Sequence, residues 1–278
     1  MAPKRRSNLH LYFADTNLKK WGKDHATTYT ARIDGKAAPS IVFFVEYFIT
    51  GRSPFDTVLH HELVHAAMRD VMDPEAYAKL PRWFREGVAL FAADEGERHL
   101  RSELTAREDP ALLITGLKDK DLNFEAYPYA YLAFEYLEKG GGEGTVRKLT
   151  ASVIGGSPPR DAVEEQTGGA WEDFEKELAL YARTRILSMA QGWELHKEAR
   201  TLYAQEKYEK AEPLFRDLSR KHPDSVYATT AGYFASRCQF RLKKYAEAAS
   251  GLVAAAEQMR GESSFLDDAL YFAGQSLF

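Results

Sequence analysis

The sequence is poor in cysteine and has no long apolar run. Cys238 is the one cysteine among 278 residues, so an internal disulfide is excluded. We expect its thiol to serve as a small buried apolar group. No stretch of eighteen apolar residues occurs, and no signal-peptide core of the usual kind is visible. The sequence therefore predicts no transmembrane segment.

A strong excess of one charge is lacking as well. The 37 Lys and Arg residues nearly balance the 41 Asp and Glu residues, which leaves a net charge of −4. No basic block is long enough to bind a phosphate backbone, so no nucleic-acid partner is predicted. The glycine-rich segment 140–144 lacks the Gly-Lys-Ser/Thr of a phosphate-binding loop, and we interpret it as a helix end and tight turn. The length favours about two domains.

The segment 61–65 has the sequence H-E-L-V-H, which matches the pattern H-E-x-x-H. Residues four apart lie on one face of a helix, so His61 and His65 can bind one divalent ion, usually zinc. Glu62 then lies where it can accept a proton from metal-activated water. The alternative is a pair of core histidines that bond to the backbone.

The surrounding residues predict a helix for this motif. Ser53 is a candidate N-cap, Pro54 suits the first helical position, and Asp56 suits the positive end of the helix dipole. Apolar residues then recur at helical spacing until the predicted end at Asp73 and Pro74: Val58, Leu59, Leu63, Val64, Ala67, Met68 and Val71.

A third metal ligand is expected on the next helix, which begins near Pro81. Glu86 lies there among aromatic and aliphatic residues, and metal binding would remove the cost of burying its carboxylate. Gly87 would permit close approach of another backbone. The alternative for Glu86 is a surface ion pair with Arg82, one turn away.

H-E-L-V-H followed about twenty residues later by L-P-R-W-F-R-E-G-V-A resembles the gluzincin metallopeptidases, specifically the bacterial peptidase MA-like group. The resemblance implies zinc bound by His61, His65 and Glu86, with Glu62 as the general base. It extends over about residues 8–190. Thermolysin-like gluzincins carry an aspartate four residues after the third ligand to hold a zinc histidine, but here that position is Leu90. The partner must come from elsewhere, and Asp94 is a candidate.

Hydrolysis of an amide also requires a donor for the oxyanion, and a tyrosine hydroxyl suits that role. Tyr127 and Tyr131, one turn apart on a predicted helix, are the candidates, and Tyr129 stays open. The alternative is that these tyrosines are aromatic core residues.

The second half of the chain contains a repeat. Segment 207–215 recurs as segment 244–252, so that Ala211 and Ala248 are equivalent, and Ala199 and Ser236 match at the same offset. These patterns resemble tetratricopeptide repeats, with a half unit near 268–275. An ordinary helical bundle is the alternative. His196 and His222 stand alone and are predicted to lie at the surface.

The predicted fold class is α+β and mostly helical. A small N-terminal sheet, from strands 8–13 and 41–49, lies beside a zincin-like metal helix, and helices fill residues 54–189. The predicted domains are a metallopeptidase domain, 8–190, and tetratricopeptide-like repeats, 193–278.

The predicted function is zinc-dependent hydrolysis of a peptide or protein substrate, with the repeats able to bind a protein partner. The alternatives are a scaffold or binding protein with a structural or vestigial metal site, and an amide hydrolase for a non-peptide substrate. Localisation stays open. Because the resembled group is often exported or membrane-tethered, export of a longer parent chain is the favoured expectation.

Overall fold

The computed structural model describes residues 9–14, 26–33, 36–45, 48, 55–106, 110, 127–259 and 265–277. These residues are mostly helical and include one small sheet near the N-terminus. The predicted α+β, mostly helical class is therefore confirmed. No helix among them is both long and apolar enough to cross a bilayer.

The described strands form a three-stranded sheet in the order β1-β3-β2. Strand β1, His10–Ala14, runs parallel to β3, Lys36–Phe44, and β2, Ala26–Ile33, runs antiparallel to β3. The sequence analysis missed β2, because its threonines and arginine hide the alternation of buried and exposed positions. The strand predicted for 41–49 already ends at Phe44.

Helix α1, Phe55–Val71, carries the H-E-x-x-H motif and packs on the sheet. One hydrophobic cluster joins the two elements through Ala26, Ile41, Phe43, Val58 and Ala66. The predicted helix start at Ser53 and Pro54 lies outside the described residues. Beyond the helix, Asp73 caps α2, Pro74–Lys79, by accepting hydrogen bonds from two backbone N–H groups.

Helix α3, Arg82–Ala92, begins directly after Pro81, as predicted. It packs closely on α5, Tyr127–Gly141, since a Cβ at Gly87 would lie 2.8 Å from the Ala130 carbonyl oxygen. The close approach predicted at Gly87 is thus confirmed. Gly142 and Gly144 both have a φ of 85°, which confirms the predicted turn after α5. The remaining helices here are α4, Gly96–Ala106; α6, Thr145–Ile154; α7, Pro159–Thr167; and α8, Trp171–Met189.

The chain divides into two compact units. The first contains the described residues up to Leu100 together with 127–182, and the second contains 101–106, 110 and the described residues from Arg183 onwards. This division differs from the domain boundary predicted between 190 and 193. The end of α4 belongs to the second unit, where the Tyr227 hydroxyl donates to the Leu104 carbonyl oxygen at 3.3 Å.

The second unit is built from helices that pack on their neighbours in sequence. Cys238 is fully buried among them, as predicted. The helices after α8 are α9, Trp193–Ala204; α10, Tyr208–Lys221; α11, Ala228–Arg241; α12, Tyr245–Gln258; and α13, Leu266–Ser276.

The sequence repeat corresponds to a repeated turn. Glu206 and Lys243 occupy the left-handed region, with φ of 58° and 61°. The next residues, Lys207 and Lys244, donate backbone hydrogen bonds of 3.0 and 2.9 Å to carbonyl oxygens five residues earlier. The recurrence is therefore present in the backbone, while its tetratricopeptide identity stays a prediction.

His196 is not the surface residue that the sequence analysis predicted. Its ring stacks on Tyr227, with centroids 4.7 Å apart, and meets the edge of Phe215. Its Nδ1 atom is buried and has no hydrogen-bond partner in the described structure. Burial, and then the charge of Arg200, lower the pKa of His196 to about 4. His196 is therefore a half-buried, neutral residue at physiological pH.

This burial predicts acid sensitivity. The unfolded imidazole takes up a proton near pH 6.5, whereas the folded one resists protonation down to about pH 4. Stability should therefore fall as the pH drops through this window, by about 1–2 kcal/mol at pH 5. Thermal melts of His196→Phe at pH 7.5 and 5 should show a smaller difference than wild type. His222→Gln serves as the control, and an unchanged acid sensitivity in His196→Phe would contradict the assignment.

Candidate metal centre

The structure brings the three predicted metal ligands together. Helix α1 presents His61 and His65, and α3 presents Glu86. The two histidine Nε2 atoms lie 3.1 Å apart, and they lie 3.5 and 3.4 Å from Glu86 Oε2. The three residues form a group that could hold a metal ion.

These distances fit a common ion. Ligand atoms that each lie about 2.0–2.2 Å from a tetrahedral zinc ion are separated from one another by about 3.3–3.6 Å. The observed separations of 3.1, 3.4 and 3.5 Å are close to that range. Two imidazole nitrogens and one carboxylate oxygen are also donors that zinc accepts. The residues present therefore fit a zinc ion.

Glu95 holds the outer nitrogen of His61. Its Oε2 atom lies 3.0 Å from His61 Nδ1, in an ion-pair contact rather than a well-aligned hydrogen bond. The Glu95 side chain is buried, and its other oxygen contacts Arg98 and His99. The sequence analysis proposed Asp94 for this role, but Asp94 is exposed.

The backbone after α3 explains why Glu95 takes this position. Asp94 adopts a left-handed φ of 54°, and its N–H bonds to the Phe91 carbonyl oxygen at 3.2 Å. The Glu95 N–H bonds to the Leu90 carbonyl oxygen at 2.9 Å, which completes a Schellman motif. This turn leaves Asp94 at an exposed corner and directs the chain at Glu95 back towards α1.

Tyr77 holds the outer nitrogen of His65. Its hydroxyl oxygen lies 3.0 Å from His65 Nδ1, and the side chain is 2% exposed. Outer partners of this kind fix the orientation of metal-binding imidazoles. The sequence analysis missed Tyr77, because no local pattern relates a tyrosine on α2 to a histidine on α1.

Two carboxylates, those of Glu86 and Glu95, contact His61. Burial raises the pKa of Glu86, but contacts with both histidines outweigh that effect and hold the pKa well below its usual range. Contacts with His61 and His99 do the same for Glu95 against the effect of its burial. Burial lowers the pKa of His61, but Glu86 and Glu95 raise it to about 9. These carboxylates favour positive charge at the histidines, and a bound divalent cation would supply it in place of a proton.

Thr28 positions Glu62. Glu62 is buried, with 7% of the residue exposed, and its Oε2 atom accepts a hydrogen bond from Thr28 Oγ1. The same hydroxyl lies 3.2 Å from the Glu62 backbone oxygen. Thr28 comes from β2, the strand that the sequence analysis missed, so this partner was missed too.

Tyr127 and Tyr131 have different surroundings. Tyr127 lines the cleft, accepts a hydrogen bond of 3.3 Å from Arg82 Nη2 and stacks on His99. The Tyr131 ring instead covers Gly96, and its hydroxyl donates to Glu135 Oε1 at 3.4 Å. Neither Tyr131 nor Tyr129 lines the cleft. Burial, followed by the charge of Glu175, raises the pKa of Tyr129 to about 12.

The donor group lies in a cleft of about 370 Å³. Ala26, Thr27 and Thr28 of β2 line one side, and β2 is an edge strand of the described sheet. Helices α1 and α3 supply most of the other lining residues. The cleft therefore combines a potential ligand triad, a buried carboxylate and the edge of a sheet.

No family model, curated protein or solved structure matches this chain.

Removing either outer contact, that of Glu95 with His61 or that of Tyr77 with His65, is expected to weaken zinc binding. Glu95→Gln removes the charge beside His61, and Tyr77→Phe removes the hydroxyl beside His65 but keeps the aromatic ring. Each should weaken zinc binding by about 10–100-fold, because the imidazoles lose orientation and basicity. Competition with a chromophoric chelator measures the affinity, and the exposed Glu75→Gln is the control. Wild-type affinity in both variants would rule out this role for the two partners.

Proposed function

We propose that this protein is a zinc-dependent peptidase of gluzincin type. The observation that carries the proposal is the convergence of His61, His65 and Glu86 at 3.1–3.5 Å beside the buried Glu62. Catalytic zinc sites commonly use three protein ligands and leave a fourth position open, whereas closed structural sites use four. The group found here has three members and lies in a cleft.

The residues around the triad suit amide hydrolysis. A bound zinc ion would act as a Lewis acid and lower the pKa of a coordinated water to about 7. Glu62, held by Thr28, accepts a proton from the attacking water and delivers it to the leaving amine. Tyr127 donates a hydrogen bond from its hydroxyl to the developing oxyanion, and its contact with Arg82 helps to orient that hydroxyl.

The form of the cleft favours a peptide over a small amide. Three residues of the edge strand β2 line it, and an extended chain can pair with the edge of a sheet. The resemblance of the two motifs to peptidase MA-like enzymes supports the same substrate class. The helices from 193 to 276 would then form tetratricopeptide-like repeats that bind a protein partner.

Metal analysis combined with a peptide-cleavage assay tests the proposal. The full chain should bind one zinc ion and cleave members of a random peptide library. A chelator should abolish cleavage, and added zinc should restore it. A chain that binds zinc but cleaves no peptide would contradict the proposal.

The second candidate is a scaffold or binding protein with a structural or vestigial metal site. Large exposed apolar side chains on the repeat helices favour it, among them Val253, Leu270 and Tyr271 at 46%, 54% and 59% exposure. The metal analysis separates the two candidates. A zinc ion with an exchangeable water supports the peptidase, and a metal-free or fully coordinated site supports the scaffold.

A further inference from the structure

Each of the two helices that carry the metal donors also carries an arginine beside them. On α1, Arg69 follows His65 by one turn, as His65 follows His61. On α3, Arg85 directly precedes Glu86. Both arginines are half-buried and line the cleft. Positive charge therefore lies next to the ligand triad, on the same two helices.

Arg69 and Arg85 lie on the ring of Tyr77. Their guanidinium carbons are 4.3 and 5.4 Å from its centroid. The Nε atoms of both are buried and have no hydrogen-bond partner in the described parts of the chain. Packing on one ring holds the two side chains side by side, which reduces the entropy lost when they bind a ligand.

The cleft carboxylates do not neutralise these arginines. The acidic residues that line it are Glu62, Glu86 and Glu95, among the residues that the structure describes. Glu86 faces the two histidines, and Glu62 bonds to Thr28. Glu95 faces His61, Arg98 and His99. A divalent ion in the triad would offset the charge of these carboxylates further.

We infer that the cleft recognises a carboxylate on its peptide substrate, held by Arg69 and Arg85. The inference rests on the proposed function, in that a peptide carries the anion. Guanidinium groups bind carboxylates through paired charged hydrogen bonds, and a desolvated site strengthens them. The carboxylate belongs either to an acidic side chain or to the peptide's C-terminus.

The helix geometry limits where that carboxylate lies. Four residues of helix rise about 6 Å, so Arg69 lies about that far along α1 from His65. An extended peptide advances about 3.4 Å per residue. The recognised carboxylate therefore lies within about two or three residues of the scissile bond.

Equilibrium binding to the chelator-treated full chain tests the inference without cleavage. The probes are rhodamine-labelled hexapeptides that differ in one central residue, Glu or Gln, each with an amidated or a free C-terminus. Fluorescence anisotropy should show that a peptide with the recognised carboxylate binds at least about tenfold more tightly than its uncharged partner. The amidated pair reports on the side chain, and the two Gln peptides report on the terminus.

Substitutions at the two arginines connect this preference to them. Arg69→Gln and Arg85→Gln should each reduce binding of the preferred peptide by about tenfold and leave the uncharged peptide unaffected. Arg69→Lys and Arg85→Lys keep the charge, so they should lose less. The exposed Arg147→Gln, on α6, is the matched control and should bind like wild type. Thermal melts confirm that each variant is folded.

Equal binding of charged and uncharged peptides, or a preference that survives both glutamine variants, would overturn the inference. Its failure is distinct from failure of the proposed function. If the zinc-loaded chain cleaves charged and uncharged peptides equally well, the carboxylate preference is wrong and the peptidase function stands. If the chain prefers peptides with the carboxylate but cleaves none of them, the peptidase function is wrong and the carboxylate preference stands.

Discussion

Glu62→Gln is expected to reduce peptide hydrolysis by about 10²–10⁴-fold, the usual contribution of a general base. Glutamine has the same shape, and its amide oxygen can still accept the hydrogen bond that Thr28 donates to the carboxylate. What it loses is the ability to accept a proton from water. The substitution therefore separates proton transfer from folding and from metal binding.

The measurement has two parts. The value of kcat/KM on the best library peptide should fall, while the zinc content should stay at one ion per chain, because Glu62 is not among the three donors. Glu75→Gln makes the same chemical change at an exposed position on α2 and should retain full activity. Wild-type activity in Glu62→Gln would show that another group acts as the base.

Glu86→Gln is expected to remove high-affinity zinc binding and, with it, hydrolysis. The charged oxygen of Glu86 lies 3.4–3.5 Å from both histidine Nε2 atoms, and a neutral amide oxygen is a much weaker zinc ligand. The loss of affinity should exceed the roughly 10–100-fold loss expected for an outer partner such as Glu95.

Thermal unfolding provides a readout that does not depend on activity. A ligand that binds only the folded state stabilises it in proportion to the logarithm of its concentration over Kd. Zinc should therefore raise the Tm of the wild type and of Glu75→Gln, but have little effect on Glu86→Gln. An equal zinc-dependent rise in Glu86→Gln would remove Glu86 from the ligand set.

The features of the site that depend on local spacing could be predicted from the sequence. His61 and His65 face the same way because they are four residues apart on a helix, and Pro81 marks the start of the helix that carries Glu86. The turn at Gly142 was predicted on similar grounds. Each of these inferences needed only neighbouring residues.

The partners of those residues could not be predicted in the same way. Thr28 is 34 residues from Glu62 and lies on a strand whose alternation is masked by threonine and arginine. Glu95 reaches His61 through a helix-end turn whose left-handed corner falls on Asp94. His196 looked isolated in the sequence, yet Phe215 of α10 and Tyr227, which directly precedes α11, pack against its ring.

The sequence by itself determined the helical periodicity, the candidate ligand triad with its base, and the 37-residue repeat, because these depend on the regular spacing of residues along a helix. Only the tertiary structure decided that Thr28 bonds to Glu62, that Glu95 and Tyr77 hold the two histidines, and that Tyr127 rather than Tyr131 lines the cleft. These contacts join residues on different elements. They depend on side-chain packing, which produces no periodic pattern in the sequence.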